Sequence, residues 1–279
     1  MKRTRIPGLA LALLFGGLAL PALADRYEDL LDLSGYTTQL DLLPEQFTQG
    51  MRMGFPAAGS GEPELLVPLL AAVDDAYDPR RARAQAATAL RAALAPEEVA
   101  GQLDWYRSDF GSRIAAAEVA ASAPEANAEM MSVAARLMGD AERVARATRM
   151  IELAGVTDYL VATQMRVSGA VFLLVTSQMP AGAAPELADF QAQLEASEPA
   201  MRFQMNQVML ASYLYTYRDL SIDELDRYLA FLETPVTRRS TGALVKVMQD
   251  VNDGLIAGVL AELGIQAQGL FERARSSPA

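Results

Sequence analysis

Pro96-Glu97-Glu98-Val99-Ala100-Gly101-Gln102-Leu103-Asp104-Trp105-Tyr106-Arg107, followed at once by Ser108-Asp109-Phe110-Gly111-Ser112-Arg113, writes a helix, a tight break and a second helix in one short run. Pro96 fits a first helical position, where its missing N–H costs nothing. Glu97 and Glu98 then fall in the first turn, where acids complement the helix dipole. Ser108 is a good N-cap for the next helix, and Asp109 supplies its first negative charge. The pattern predicts helices over Pro96–Arg107 and Asp109–Ala121. The same plan returns 126 residues later, in Leu220 to Arg239. There Glu224 matches Glu98, Leu229 matches Leu103, Phe231 matches Trp105, Thr234 matches Ser108 and Arg239 matches Arg113, with Pro235 opening the second helix. Trp105 and Phe231 stand three residues before their caps, where an aromatic packs across the break. Helix packing is the favoured reading of both rings, and ligand stacking the other.

Outward from these two runs, the chain is rich in Ala, Leu, Met, Glu, Gln and Arg, all helix-favouring. Apolar positions recur at three and four rather than two, and no alternating β-branched run reads as a strand. The spacing predicts helices over Tyr27–Leu33, Thr37–Met53 (bent or restarted at Pro44), Pro63–Tyr77, Pro79–Leu94, Pro124–Met138, Asp140–Leu153, Thr157–Gln178, Leu187–Ala196, Pro199–Tyr217, Ile222–Glu233 and Pro235–Leu263. Phe55 to Glu62 reads as a loop. A second similarity, Leu30 to Gly35 against Met150 to Gly155, stands at an offset of 120, each Gly ending its helix as a left-handed cap. The expectation is an all-α, multi-helix bundle built from two similar halves, 25–148 and 149–265, with a flexible tail over 266–279.

Residues 1–24 have the three parts of a secretory signal. Lys2, Arg3 and Arg5 form the basic start, Leu9 to Leu20 the apolar run, and Ala22-Leu23-Ala24 a small-x-small cleavage site ahead of Asp25. Neither a lipobox cysteine nor adjacent arginines are present, so general export with cleavage after Ala24 is expected, leaving a periplasmic protein. Val167 to Val175, the next most apolar run, is too short for a helical span and reads as a buried core helix. No stable membrane span is expected after signal removal.

The formal net charge is −11, and becomes −14 once the basic start is removed. Such acidity repels phosphate backbones, so nucleic acid is not an expected partner. The sequence contains no Cys and no His. That excludes disulfides, Cys or His metal ligands, thiol nucleophiles and Ser-His-Asp triads. Asp74-Asp75, Glu97-Glu98 and Asp223-Glu224 are neighbours that diverge on a helix. Lys246, the single lysine after Lys2, reads as an exposed or snorkelling side chain. No catalytic, cofactor-binding or metal-binding residue is therefore assigned, no cofactor is expected, and the chain reads as a non-enzyme. Met201, Met205 and Met209 recur every four residues. They form either a core-facing stripe or the lining of an apolar groove.

The acidic pair, aromatic stretch and Ser108-Asp109-Phe110-Gly111-Ser112-Arg113 resemble the family catalogued as domain of unknown function 2059, in which such a stretch precedes Ser-Pro-x-Gly-x-Lys. Asp109 stands where the family has Pro. Thr234-Pro235-Val236-Thr237-Arg238-Arg239 is a looser second copy, with Thr237 in place of Gly. The resemblance implies an all-helical fold and an envelope location, and brings no activity with it. The function expected is a non-enzymatic interaction protein or chaperone-like scaffold with an unknown envelope protein partner. The alternative is a carrier of an apolar ligand or lipid between helix layers.

Overall fold

The structure, a computed structural model, describes residues 21–57, 71–123, 126–177, 179–180 and 184–265. Among these the chain is all-α, a bundle without strands. The helices are α1 (Pro21–Leu33), α2 (Tyr36–Ala57), α3 (described over 71–76), α4 (Pro79–Ala93), α5 (Pro96–Arg107) and α6 (Asp109–Ala121). They continue as α7 (Ala126–Leu137), α8 (Ala141–Ala154), α9 (Val156–Ser177), α10 (Leu187–Thr216), α11 (Ile222–Leu232) and α12 (Pro235–Glu262). The apolar run Leu9 to Leu20, the tail 266–279 and the predicted start of the Pro63 helix lie outside the described residues. The expected cleavage site, Ala22, Ala24 and Asp25, falls within α1.

Caps set the boundaries where the sequence places them. The Ser108 Oγ accepts the Gly111 N–H at 3.0 Å, and the Thr234 Oγ1 accepts the Thr237 N–H at 3.2 Å. Glu98 accepts the Ala95 N–H at 2.9 Å, and Glu224 accepts the Ser221 N–H at 2.8 Å, each closing a first turn. Gly35 and Gly155 both take positive φ, 73° and 61°, as the left-handed residues after α1 and α8.

Four features differ from the expected helices. α2 runs through Pro44 without restarting, and the Leu40 carbonyl that Pro44 cannot bond receives the Tyr77 hydroxyl at 2.6 Å. α2 also continues to Ala57, into the predicted loop. Pro199 lies inside the single helix α10, so the two predicted helices are one. Finally, the run Val167 to Val175 is not a buried core helix. It belongs to the 22-residue α9, long and apolar enough to cross a membrane by length and composition, with 17% of its most apolar window buried. Within the run Gly169 and Leu174 are buried and the other residues half-buried. α9 packs on α10 and on α12, and on the α12 side Arg166 pairs with Asp253 at 3.0 Å.

The two largest cores among the described residues each draw on both halves of the sequence. The first gathers Leu30, Leu31 and Leu40 with Leu90 and Leu103, and takes Val247 and Val251 from α12. The second gathers Met150, Leu220, Leu225, Tyr228 and Phe231, and takes Phe110 and Ile114 from α6. Trp105 and Phe231 meet between them, rings parallel with centroids 3.7 Å apart. On either side Arg113 pairs with Glu224 and Arg239 pairs with Glu98. A further couple repeats with its charges exchanged: Arg107 to Asp29 at 3.1 Å, and Arg149 to Glu233 at 3.0 Å.

Candidate functional site

The space between the two cores is not filled. A partly open cavity of about 560 Å³ lies there, its wall drawn from α1, α2, α4–α6 and α8–α12. Leu30 and Met150, and Gln102 and Tyr228, which stand at corresponding places in the two pairs of similar runs, face it, and so do Glu118 and Leu244. Apolar atoms provide most of the wall, as in most ligand pockets.

The polar end is built around Glu118 of α6, the one carboxylate among the described residues of the wall. The hydroxyls of Tyr217 and Tyr228 both donate to its Oε1, each at 2.6 Å. Tyr106 and Tyr213 also line the cavity beside it. Glu118 is half-buried and lines the partly open cavity. Burial therefore pushes its carboxyl above the usual carboxylate range, and the two tyrosine hydroxyls pull back only part of that rise. Burial raises all four tyrosines too, with the nearby Glu118 carboxyl adding to it, so they remain neutral donors at any physiological pH. Behind Tyr217, Arg143 is spent on backbone, donating to the carbonyls of Tyr217 at 3.0 Å and Leu220 at 2.8 Å. Elsewhere on the wall polar groups are satisfied internally: Gln102 donates to the Thr237 hydroxyl at 2.9 Å, and Tyr36 donates to the Leu244 carbonyl at 2.8 Å.

A raised carboxyl has a consequence for stability. The folded state holds the Glu118 proton more tightly than the unfolded chain does. This acid therefore costs nothing below the unfolded value near 4.5, and its cost grows as pH rises through the folded value. Glu118→Gln keeps an acceptor for both tyrosines and removes the charge. The variant should melt above the wild type at about pH 8 and at the same temperature at about pH 4. Thermal melts across that range check it; a gain of equal size at both ends would exclude a buried charge as its origin.

Of the residues singled out in the sequence, Met209 lines the cavity, whereas Met201 and Met205 lie half-buried further up α10. The stripe thus reaches the cavity with its last member only. Trp105, Ser108, Gly111, Arg113, Phe231, Thr234, Pro235 and Arg239 assemble the clamp at the two breaks rather than the wall itself, though Trp105 touches the wall tyrosines Tyr106 and Tyr228 at 4.9 and 5.7 Å between centroids. Lys246 is exposed and bonded to Asp250 at 3.2 Å. Glu118 escaped sequence reasoning. Its one local signal is that it stands as a lone acid within Ile114-Ala115-Ala116-Ala117-Glu118-Val119-Ala120-Ala121.

Fold and cavity together define, among the described residues, an all-helical protein with a partly open, mostly apolar chamber and an acid at one end. Residues 80–140, covering α4 through α7, match the model of the family described as uncharacterized protein conserved in bacteria (DUF2059). This is the family that the first helix break resembles, and the matched segment includes Glu118 and Gly111. No curated protein and no solved structure matches the chain.

Proposed function

We propose that this chain is an exported, non-enzymatic carrier that holds a small, largely apolar ligand in the cavity between its two cores. The cavity carries the reading. At about 560 Å³ it lies within the size range of small-molecule sites, and a tightly packed core has no void of that size. Among the described residues of this wall Glu118 has no second carboxylate for the paired-acid hydrolysis of glycosides to use. The basic start, apolar run and small-x-small site of residues 1–24 support delivery to the periplasm with cleavage after Ala24. The exchanged helices and reciprocal ion pairs support a duplicated ancestor, with the cavity formed where the two related halves face each other. So does the treatment of the matched Leu94 and Leu220 carbonyls, which receive Tyr27 of α1 and Arg143 of α8.

The test is occupancy. Purified protein should bind about one equivalent of the neutral apolar dye N-phenyl-1-naphthylamine, with a change in emission from Trp105, the sole tryptophan. Val245→Phe, which fills the wall, should weaken that binding at least about tenfold while the protein still melts cooperatively. A folded protein that takes up no dye, or a dye indifferent to the filled wall, would remove the carrier reading.

A second reading, a chaperone-like scaffold for an envelope protein, is favoured by the exposed apolar side chains Phe203 (68%) and Val208 (48%) of α10 and Met131 (65%) of α7. It predicts a stoichiometric protein partner in envelope pull-downs whose capture is lost in Phe203→Ser and unchanged in Val245→Phe.

A further inference from the structure

We propose that the ligand is an organic cation: an ammonium group seated on Glu118, with an apolar body extending towards Leu43, Leu244 and Met248. This rests on the carrier reading and specifies its ligand. Both tyrosine hydroxyls converge on Oε1 of Glu118, and among the described residues nothing donates to Oε2. No lysine or arginine acts on this carboxyl. The groups around it are Tyr106 of α5, Tyr213 and Tyr217 of α10 and Tyr228 of α11, with the Arg143 guanidinium of α8 turned to backbone carbonyls. A buried carboxylate without a countercharge is costly unless it takes up a proton or is paired. A ligand ammonium supplies the missing charge. It also finds aromatic rings beside the carboxylate, a combination that attracts cations through the ring quadrupole.

Glu118 lies with the tyrosines of the second core and Leu244 packs on the first, so the cavity has one acidic end and one apolar end. That asymmetry orients an amphiphile head to tail. Leu43, Leu90 and Leu30, with partly buried Leu244 and Met248, belong to the first core, and the tyrosines around Glu118 to the second. The net charge of −11 works in the same direction, drawing cations to the surface and repelling anions.

Four probes of one chain length separate the possibilities: octylammonium, octyltrimethylammonium, octanol and octanoate, titrated calorimetrically into the full protein at about pH 8. The two ammonium probes should bind at least about tenfold more tightly than octanol, and octanoate most weakly. Glu118→Gln should reduce the ammonium preference over octanol to within about twofold. Wild-type protein at about pH 4 should lose the same preference, because Glu118 is the group in this wall that takes up a proton there, which keeps the test open should the variant fold poorly. Octanol or octanoate binding as tightly as the ammonium probes would overturn the cation and leave the carrier standing, as would a preference that survives Glu118→Gln. Failure of all four probes on folded protein would overturn both.

Discussion

Gly111→Ala is expected to cost the fold about 3 kcal/mol or more, enough to leave little folded protein in a chain of ordinary stability. A Cβ on Gly111 would lie 2.0 Å from the Trp105 carbonyl oxygen, 2.8 Å from the carbonyl carbon and 2.9 Å from the indole ring. None of these atoms is free to retreat. The oxygen already accepts the Ser108 hydroxyl at 2.6 Å and the Ser108 N–H at 3.1 Å, both of which fix the tight break between α5 and α6. The ring is held against Phe231 on its other side. Relief therefore requires opening the break itself, which moves α6 off the second core. Gly101, in the middle of α5, is the control. Nothing lies within 4 Å of a Cβ there, and alanine should be neutral or gain up to about 1 kcal/mol from its better helix propensity. Urea unfolding of the two variants decides it: similar midpoints would mean the break is looser than the contact requires.

The contrast between these glycines also shows what the sequence discloses. Gly111 stands at a motif position and is recognisable there, but its reason, the approach of the Trp105 carbonyl, is a tertiary fact. Helix ends at Ser108, Asp140, Thr234 and Gly155 were legible because caps are local: a hydroxyl or carboxylate three residues from the N–H it accepts. The course of α2 was not, because the group that compensates Pro44 is the Tyr77 hydroxyl, more than thirty residues away in the chain. Matched runs in the sequence announced Trp105 and Phe231 as equivalent, yet the reading had each pack across its own break. They instead stack on one another, with Trp105 also meeting Phe110 edge-on across its break. Least legible was the chamber. A carboxylate in an alanine-rich helix looks like surface charge until helices from opposite ends of the sequence close around it, and no local pattern states that they do.

Trp105→Ala should destabilise the protein by about 3–4 kcal/mol, and Phe231→Ala by a similar amount. The indole stacks on Phe231 at 3.7 Å with an interplanar angle of 6°, lies near-parallel to Tyr228, and meets Tyr106 and Phe110 edge-on. Removing it opens a void where the two breaks meet, and no neighbouring helix can close that void without giving up its own cap. The flanking ion pairs offer no comparable hold. Arg113–Glu224 and Arg239–Glu98 have side chains 54% and 30%, and 46% and 31%, exposed. Exposed pairs of this kind contribute about 0–1 kcal/mol and weaken with salt. The aromatic contact, not the charge pairs, is therefore what fastens the first break to the second. A double-mutant cycle over Trp105 and Phe231 should return a coupling of about 1 kcal/mol, independent of ionic strength. The cycle over Arg113 and Glu224 should return less, and lose it at high salt. Trp105→Phe, which restores a ring in the stack, should recover most of the loss. If alanine at Trp105 proves as mild as alanine at Arg113, the two breaks are held by the cores on either side and not by the rings between them.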